Sequence, residues 1–254
     1  MFGLPEIAIS AAGFTMPSGS SSRATIDTIA SLGVRGIALD GTATGMRARE
    51  LTRSARRDIA AILRRSELEF AGVDLWIPPE HFTTPATAQR AMDATGQALE
   101  LAGELAPLVG ARSRAIVSVV LPSELSDESR QTLSAFAQQH GSVLADHAIQ
   151  TEATSVHAGI AIGIDPVYYL MDGQSPAKAL TRAGAQLASA RLCDSSAMGR
   201  CVLGASGSKL DLTGYAGAMI VSGQEWVTLD LRGLDDPIRA TTQSINSWRD
   251  AGTI

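Results

Sequence analysis

Two alternating patterns narrow the fold of this chain more than any other feature. Short apolar runs recur at Ile7–Ser10, Val34–Asp40, Phe70–Ile77, Ala115–Leu121, Ser142–Ala148, His157–Pro166, Leu187–Asp194 and Glu225–Leu231. Helical spacing marks the stretches Arg23–Leu32, Arg47–Arg65, Thr87–Leu105, Asp127–His140, Ser175–Gly184, Thr213–Val221 and Asp236–Arg249. The runs are rich in small and β-branched residues and are nearly continuous in apolarity. That is the signature of parallel strands buried on both faces, with helices covering them. The run HAGIAIGIDP, His157 to Pro166, is the clearest case: it ends on one carboxylate, Asp165, and a strand-stopping proline.

Eight strand patterns in 254 residues, without a linker or a break in composition, predict an α/β fold of the (β/α)8 TIM barrel kind over 1–254. Only nine residues separate His147 from His157, so helix five is expected to be short or missing. A doubly wound open sheet is the alternative, but the turn after the first strand reads SAAGFTMPSG and lacks G-x-G-x-x-G. The small polar stretch Met16–Ser22 reads as a loop. On the closing helix, Ile238, Ile245 and Trp248 are the expected inward residues.

In a barrel, chemistry gathers where the strands end. Those ends offer Asp40, Asp74, Asp146 or His147, Asp165, Arg191 or Asp194, and Asp230. Several acids at one mouth can hold a divalent cation or move protons. Singly, a strand-end Asp is more often a turn-former or helix cap. The loop Gly204–Lys209 is no Walker loop, although its amides could cradle a phosphate. The arginines on the Arg47–Arg65 helix read as a solvated face, since no aromatics interleave them.

Charge bears on partners. With 21 basic and 26 acidic residues the net charge is -5, which argues against nucleic-acid binding. Two cysteines, Cys193 and Cys201, argue against a disulfide framework and for reduced thiols, and Cys193 reads as a buried small residue. No signal peptide is read at the N-terminus and no apolar run reaches membrane-spanning length, so a cytoplasmic protein without a membrane partner is expected.

The order of these motifs resembles the xylose isomerase-like TIM barrels, which include sugar phosphate isomerases and epimerases and the endonuclease IV group. The similarity runs through ATIDTIASLGVRGIALD, ALELAGEL, IGIDPVYYLMDGQSP, LASARLCDSS, GASGSKLDL and EWVTLDL. The resemblance implies a divalent metal (Mn, Mg, Zn or Co) held by a strand-five Glu, a strand-six Asp, a strand-seven His and a strand-eight Glu. Position by position, Asp165 matches the strand-six Asp, Asp230 stands in for the last Glu, and Asp146 or His147 falls at the strand-five Glu. Arg191 occupies the His position, and Tyr168 the place of a His three residues after Asp165. Arginine has no lone pair to give a metal and repels one, so a degenerate metal site is expected.

Two functions follow as expectations. One is a sugar (phosphate) isomerase or epimerase working by proton transfer next to a carbonyl, with His147, Asp146, Asp230 and Arg191 as catalytic groups. Asp165, Asp230 and His147 would be its metal ligands. The other is a repurposed barrel that binds a small sugar, polyol or acid. In both, the partner is a small carbohydrate-like molecule. An endonuclease-like role is remote on the acidic balance and missing histidines.

Overall fold

The computed structural model describes residues 3–14, 22–149 and 157–253. Eight parallel strands close into a barrel in the order β1-β10-β7-β6-β5-β4-β3-β2. They are β1 (Glu6–Ser10), β2 (Gly36–Asp40), β3 (Glu69–Asp74), β4 (Ile116–Val119), β5 (Val143–Asp146), β6 (Ile160–Ile164), β7 (Leu187–Leu192) and β10 (Trp226–Leu229). A two-stranded antiparallel hairpin, β8 (Asp194–Ser196) and β9 (Gly199–Cys201), follows β7. The helices are α1 (Ser22–Ser31), α2 (Arg53–Arg65), α3 (Ala88–Val109), α4 (Asp127–Gln139), α5 (Pro166–Met171), α6 (Pro176–Ala183), α7 (Leu212–Ser222) and α8 (Pro237–Ala251).

The expected barrel is present, and the differences lie at the element ends. The second helix begins six residues later than its apolar stripe implies, because the Thr52 hydroxyl caps it by accepting from Ala55 N. β5 ends at Asp146, whose carboxylate accepts from Ala148 N and turns the chain. On α8, Ile238 is 51% exposed, against expectation. Asp236 caps the helix and Pro237 opens its first turn, which leaves Ile238 outward while Ala240, Thr241, Ser244 and Trp248 face the barrel. Residues 150–156, where a fifth helix would fall, and most of the loop expected at Met16–Ser22 lie outside the described residues.

Two strands carry an extra residue against a neighbour. Ile37 and Ala38 on β2 face Phe70 and Gly72, so Ala71 has no partner there. Ile162 and Gly163 on β6 face Leu187 and Ser189, so Ala188 is skipped likewise. A one-residue slip reverses which side chains point inward. β3 and β7 are the two strands that supply a buried ion pair to the barrel mouth, Asp74 with Arg191. Gly72 has φ of +141°, and a Cβ there would sit 2.6 Å from the Ile116 carbonyl oxygen, so the bulge in β3 requires glycine. No described helix is long and apolar enough to cross a membrane.

Candidate functional site

The carboxyl ends of the strands hold an interlocked set of three aspartates and three arginines. Asp74 leaves β3, Asp165 follows β6, Arg191 lies on β7, Arg200 on β9, and Asp230 and Arg232 follow β10. Arg191 is the deepest, with a side chain 1% exposed. It donates to Asp74 at 3.1 Å and to Asp230 at 3.4 Å. Ser10 of β1 also donates to Asp74. Arg200 reaches down from the hairpin and bridges Asp165 and Asp230, 2.8 Å from each. Arg232 grips both oxygens of Asp230, at 2.9 and 2.8 Å. Asp230 Oδ2 thus accepts from all three arginines. The indole of Trp76, just after β3, lies against two of them: the guanidinium carbons of Arg191 and Arg232 are 3.9 and 3.0 Å from the ring centroid.

Local sequence explains this placement. Asp165 stands before Pro166, so its Oδ1 caps α5 by accepting from Val167 N at 3.0 Å, leaving Oδ2 for Arg200. Cys193 adds a thiol donor to Asp165 Oδ1 at 3.3 Å. Arg191 is anchored through its backbone carbonyl, which accepts from the Tyr215 hydroxyl of α7 at 2.8 Å.

The electrostatics follow from burial and partners. Burial pushes Asp230 up, but the Arg232 hydrogen bonds and the charges of Arg191 and Arg200 outweigh it and hold the carboxyl below the usual carboxylate range. Burial raises Asp74, against the pull of Arg191 and Ser10. Burial and the neighbouring Asp165 push the Cys193 thiol well up, so it keeps its proton. His147 is fully buried. Burial, reinforced by Arg191, holds its imidazole well below the ordinary histidine range, so the ring is neutral. The ring faces the Ile164 carbonyl, and among the described residues no bond of ordinary geometry reaches its nitrogens or Nε of Arg191. The ring packs flush on Gly163, where a Cβ would collide with it.

Of the residues expected to form the site, Asp165, Asp230 and Arg191 come together, with His147 beneath them. Asp146 does not join. Its carboxylate accepts from Leu121 N and Ala148 N at 3.0 Å and faces Arg130 at 3.7 Å, and burial raises its pKa. Arg191 pairs with Asp74 and Asp230, while Arg200 takes Asp165. Asp40 is spent on Thr42. The Gly204–Lys209 loop has no amides to spare at its end: Lys209 N and Leu210 N donate to Asp194, and Ser208 N to the Ala205 carbonyl. Sequence reasoning missed Arg200, Arg232, Trp76 and Ser10. Arg232, two residues past a strand-end acid, was the findable one; Arg200 sits on a hairpin too short to leave a pattern.

The donor atoms of Asp165, Cys193 and Asp230 lie within 4.8 Å of one another, and His147 is not part of that group. The set does not fit a divalent metal. The three aspartates are already matched by three guanidinium groups, so a dication would add two uncompensated positive charges in a buried site. Arg200 bridges the oxygens a metal would need, and the third donor is a protonated thiol.

No family model and no curated protein sequence matches this chain. Solved structures do. The chain is similar to an L-ribulose 3-epimerase at 12% identity, with TM-score 0.72 and coverage of 98% of this chain and 96% of that one. It is similar to D-psicose 3-epimerase from Clostridium cellulolyticum H10, solved with D-tagatose, at 12% identity, TM-score 0.73 and coverage of 97% and 99%. It is also similar to a xylose isomerase domain protein from Planctomyces limnophilus at 12% identity, TM-score 0.70 and coverage of 99% and 98%. At this identity the likeness is one of fold: the chain has the fold of the xylose isomerase-like sugar isomerase and epimerase barrels.

Proposed function

We propose that this xylose isomerase-like barrel binds a small polyhydroxylated or carboxylated compound at its arginine-lined mouth, without a metal. The observation that carries the reading is Arg200, whose guanidinium bridges Asp165 and Asp230. It supplies the positive charge between the acids that a metal would otherwise supply. Arg200 and Arg232 are 20% and 25% exposed, so their outer edges face the mouth. Guanidinium edges beside an indole face suit carboxylates and vicinal hydroxyls. The similar proteins include epimerases named for sugars, which supports a carbohydrate-like ligand. Both cysteines are free thiols, which fits a reducing cytoplasm.

Titrating sugars, polyols and sugar acids calorimetrically, with and without a chelator, tests this. Binding of a sugar or sugar acid that is indifferent to chelator and weakened by Arg232→Gln supports it. A requirement for metal sinks it.

A second reading, metal-independent proton transfer, rests on His147. A neutral imidazole that faces the Ile164 carbonyl and lies next to Arg191 and Asp230 has the make-up of a general base beside a polarising cation. Asp230 is a weak base in that setting, because its arginines hold its proton affinity down. Solvent deuterium entering a ketose in wild type but not in His147→Gln would establish that reading. No exchange across a ketose panel would leave binding alone.

A further inference from the structure

A cavity lies outside the arginine–aspartate network, behind Trp76. It has a volume of about 390 Å³ and opens between the loop after β2, the loop after β3 and the start of α3. That volume is in the range of small-molecule sites, roughly 300–1,000 Å³.

Its two halves differ in chemistry. The floor is apolar: Ala91, Ala94, Ala98 and Leu101 lie along one face of α3 and meet Leu75 and Ile77. Alanines at those positions leave the space open. The rim is cationic, with Arg47, Arg49 and Arg90 joined by His81. Among the described residues no Asp or Glu lines the cavity. Arg47 is held by the Thr42 carbonyl and by Glu50, and Glu50 is itself committed to Gly45 N and Arg47. Arg49 and Arg90 form no ion pair among the described residues. Three arginines thus rim a hollow whose described lining carries no carboxylate.

We infer that this cavity is a binding site for an amphipathic anion, a compact apolar or aromatic body carrying one carboxylate or phosphate. The body lies on the alanine floor against Trp76, and the anionic head meets Arg49 and Arg90. An unsubstituted sugar would leave the floor unused, and a bare inorganic anion would not fill it. The site is separate from the mouth ligand but shares a wall with it, since Arg191 and Arg232 stack on the Trp76 indole that lines the cavity. Occupancy is therefore expected to change Trp76 fluorescence.

The test is calorimetry and intrinsic fluorescence on the full chain with phenyl phosphate and phenylacetate, which separates the two head groups. Inorganic phosphate and benzyl alcohol are the half-ligand controls. Expected is one site for at least one aryl anion, with each half-ligand weaker by about tenfold or more. The fluorescence change is expected to disappear in Trp76→Phe. Arg49→Gln with Arg90→Gln is expected to weaken the aryl anion by about tenfold or more, and Ala94→Leu to block it by filling the floor. Should Ala94→Leu fail to fold, the exposed arginine pair still decides. Unchanged affinity in the arginine variant overturns the inference, as does inorganic phosphate binding as tightly as the aryl anion. Binding lost in Arg232→Gln yet kept in Ala94→Leu also overturns it, because the ligand would then occupy the mouth.

Discussion

Replacing Arg200 by methionine removes one charge from the network while keeping most of the side-chain volume. Asp165 Oδ2 then loses its 2.8 Å partner and has only Arg232, at 4.0 Å. Asp230 Oδ2 keeps Arg191 and Arg232. Removing one member of a buried pair costs about 3–5 kcal/mol when the orphaned charge is sealed from water. Arg200 is 20% exposed, so water enters in its place and the cost falls to about 2 kcal/mol. For a chain of this size that is a fall in melting temperature of roughly 4–8 °C. Arg200→Met combined with Asp165→Asn, which leaves no orphaned charge there, is expected to recover more than half of the loss, read as a double-mutant cycle from urea denaturation. The single variant is also expected to gain stabilisation from added Zn(II) or Co(II), because Asp165 Oδ2 loses the guanidinium that bridges it to Asp230. Three results would refute the reasoning: a loss below about 0.5 kcal/mol, a strictly additive cycle, or equal responses to metal in variant and wild type.

Other consequences follow from the same geometry. His147 is buried and neutral with a depressed pKa, so the unfolded chain takes up a proton below about pH 6.5 that the folded chain does not. Its contribution is fully present above pH 6.5 and is lost as pH falls, at about 1.4 kcal/mol per unit. Urea denaturation at pH 7, 6 and 5 should show this slope reduced in His147→Gln; an unchanged slope places the proton uptake elsewhere. Asp230 is depressed as well, so its contribution persists above the ordinary carboxylate range and fades as pH falls below about 4, a loss absent in Asp230→Asn. Gly163→Ala drives a methyl into the His147 ring and is expected to cost about 1–3 kcal/mol, relieved in the double variant with His147→Ala. Tyr215→Phe removes the hydroxyl that holds the Arg191 carbonyl and should cost about 1 kcal/mol by thermal melting.

What was legible in the sequence divides along physical lines. The barrel was readable because buried parallel strands must be apolar throughout, and HAGIAIGIDP meets that demand regardless of its partners. Asp165 was readable because strand-terminal acids stand out against such runs. That Arg191 itself has no lone pair to give a metal follows from residue type alone. Of its partners, Asp230 was within reach as a strand-end acid of the same mouth, and the pairing with Asp74 was not. Which side chains face inward on β3 and β7 depends on the bulges at Ala71 and Ala188, and a bulge leaves only a weak trace in composition. Arg200 was hidden for another reason: the three-residue strands β8 and β9 are too short for periodicity, and its contacts lie 30 and 35 residues away in sequence. Asp146 and His147 are adjacent, and only the observed register separates them, turning one toward Arg130 and the other beneath Arg191.

The central claim is that guanidinium groups, Arg200 foremost, hold the place of a metal in this barrel. Elemental analysis of the protein, purified without affinity metal from cells supplied with Mn, Zn and Co, tests it most directly when joined to a melt with and without chelator. The account predicts substoichiometric metal and an unchanged melting temperature. One equivalent of a divalent metal per chain, with a melting temperature that falls on chelation, would contradict it.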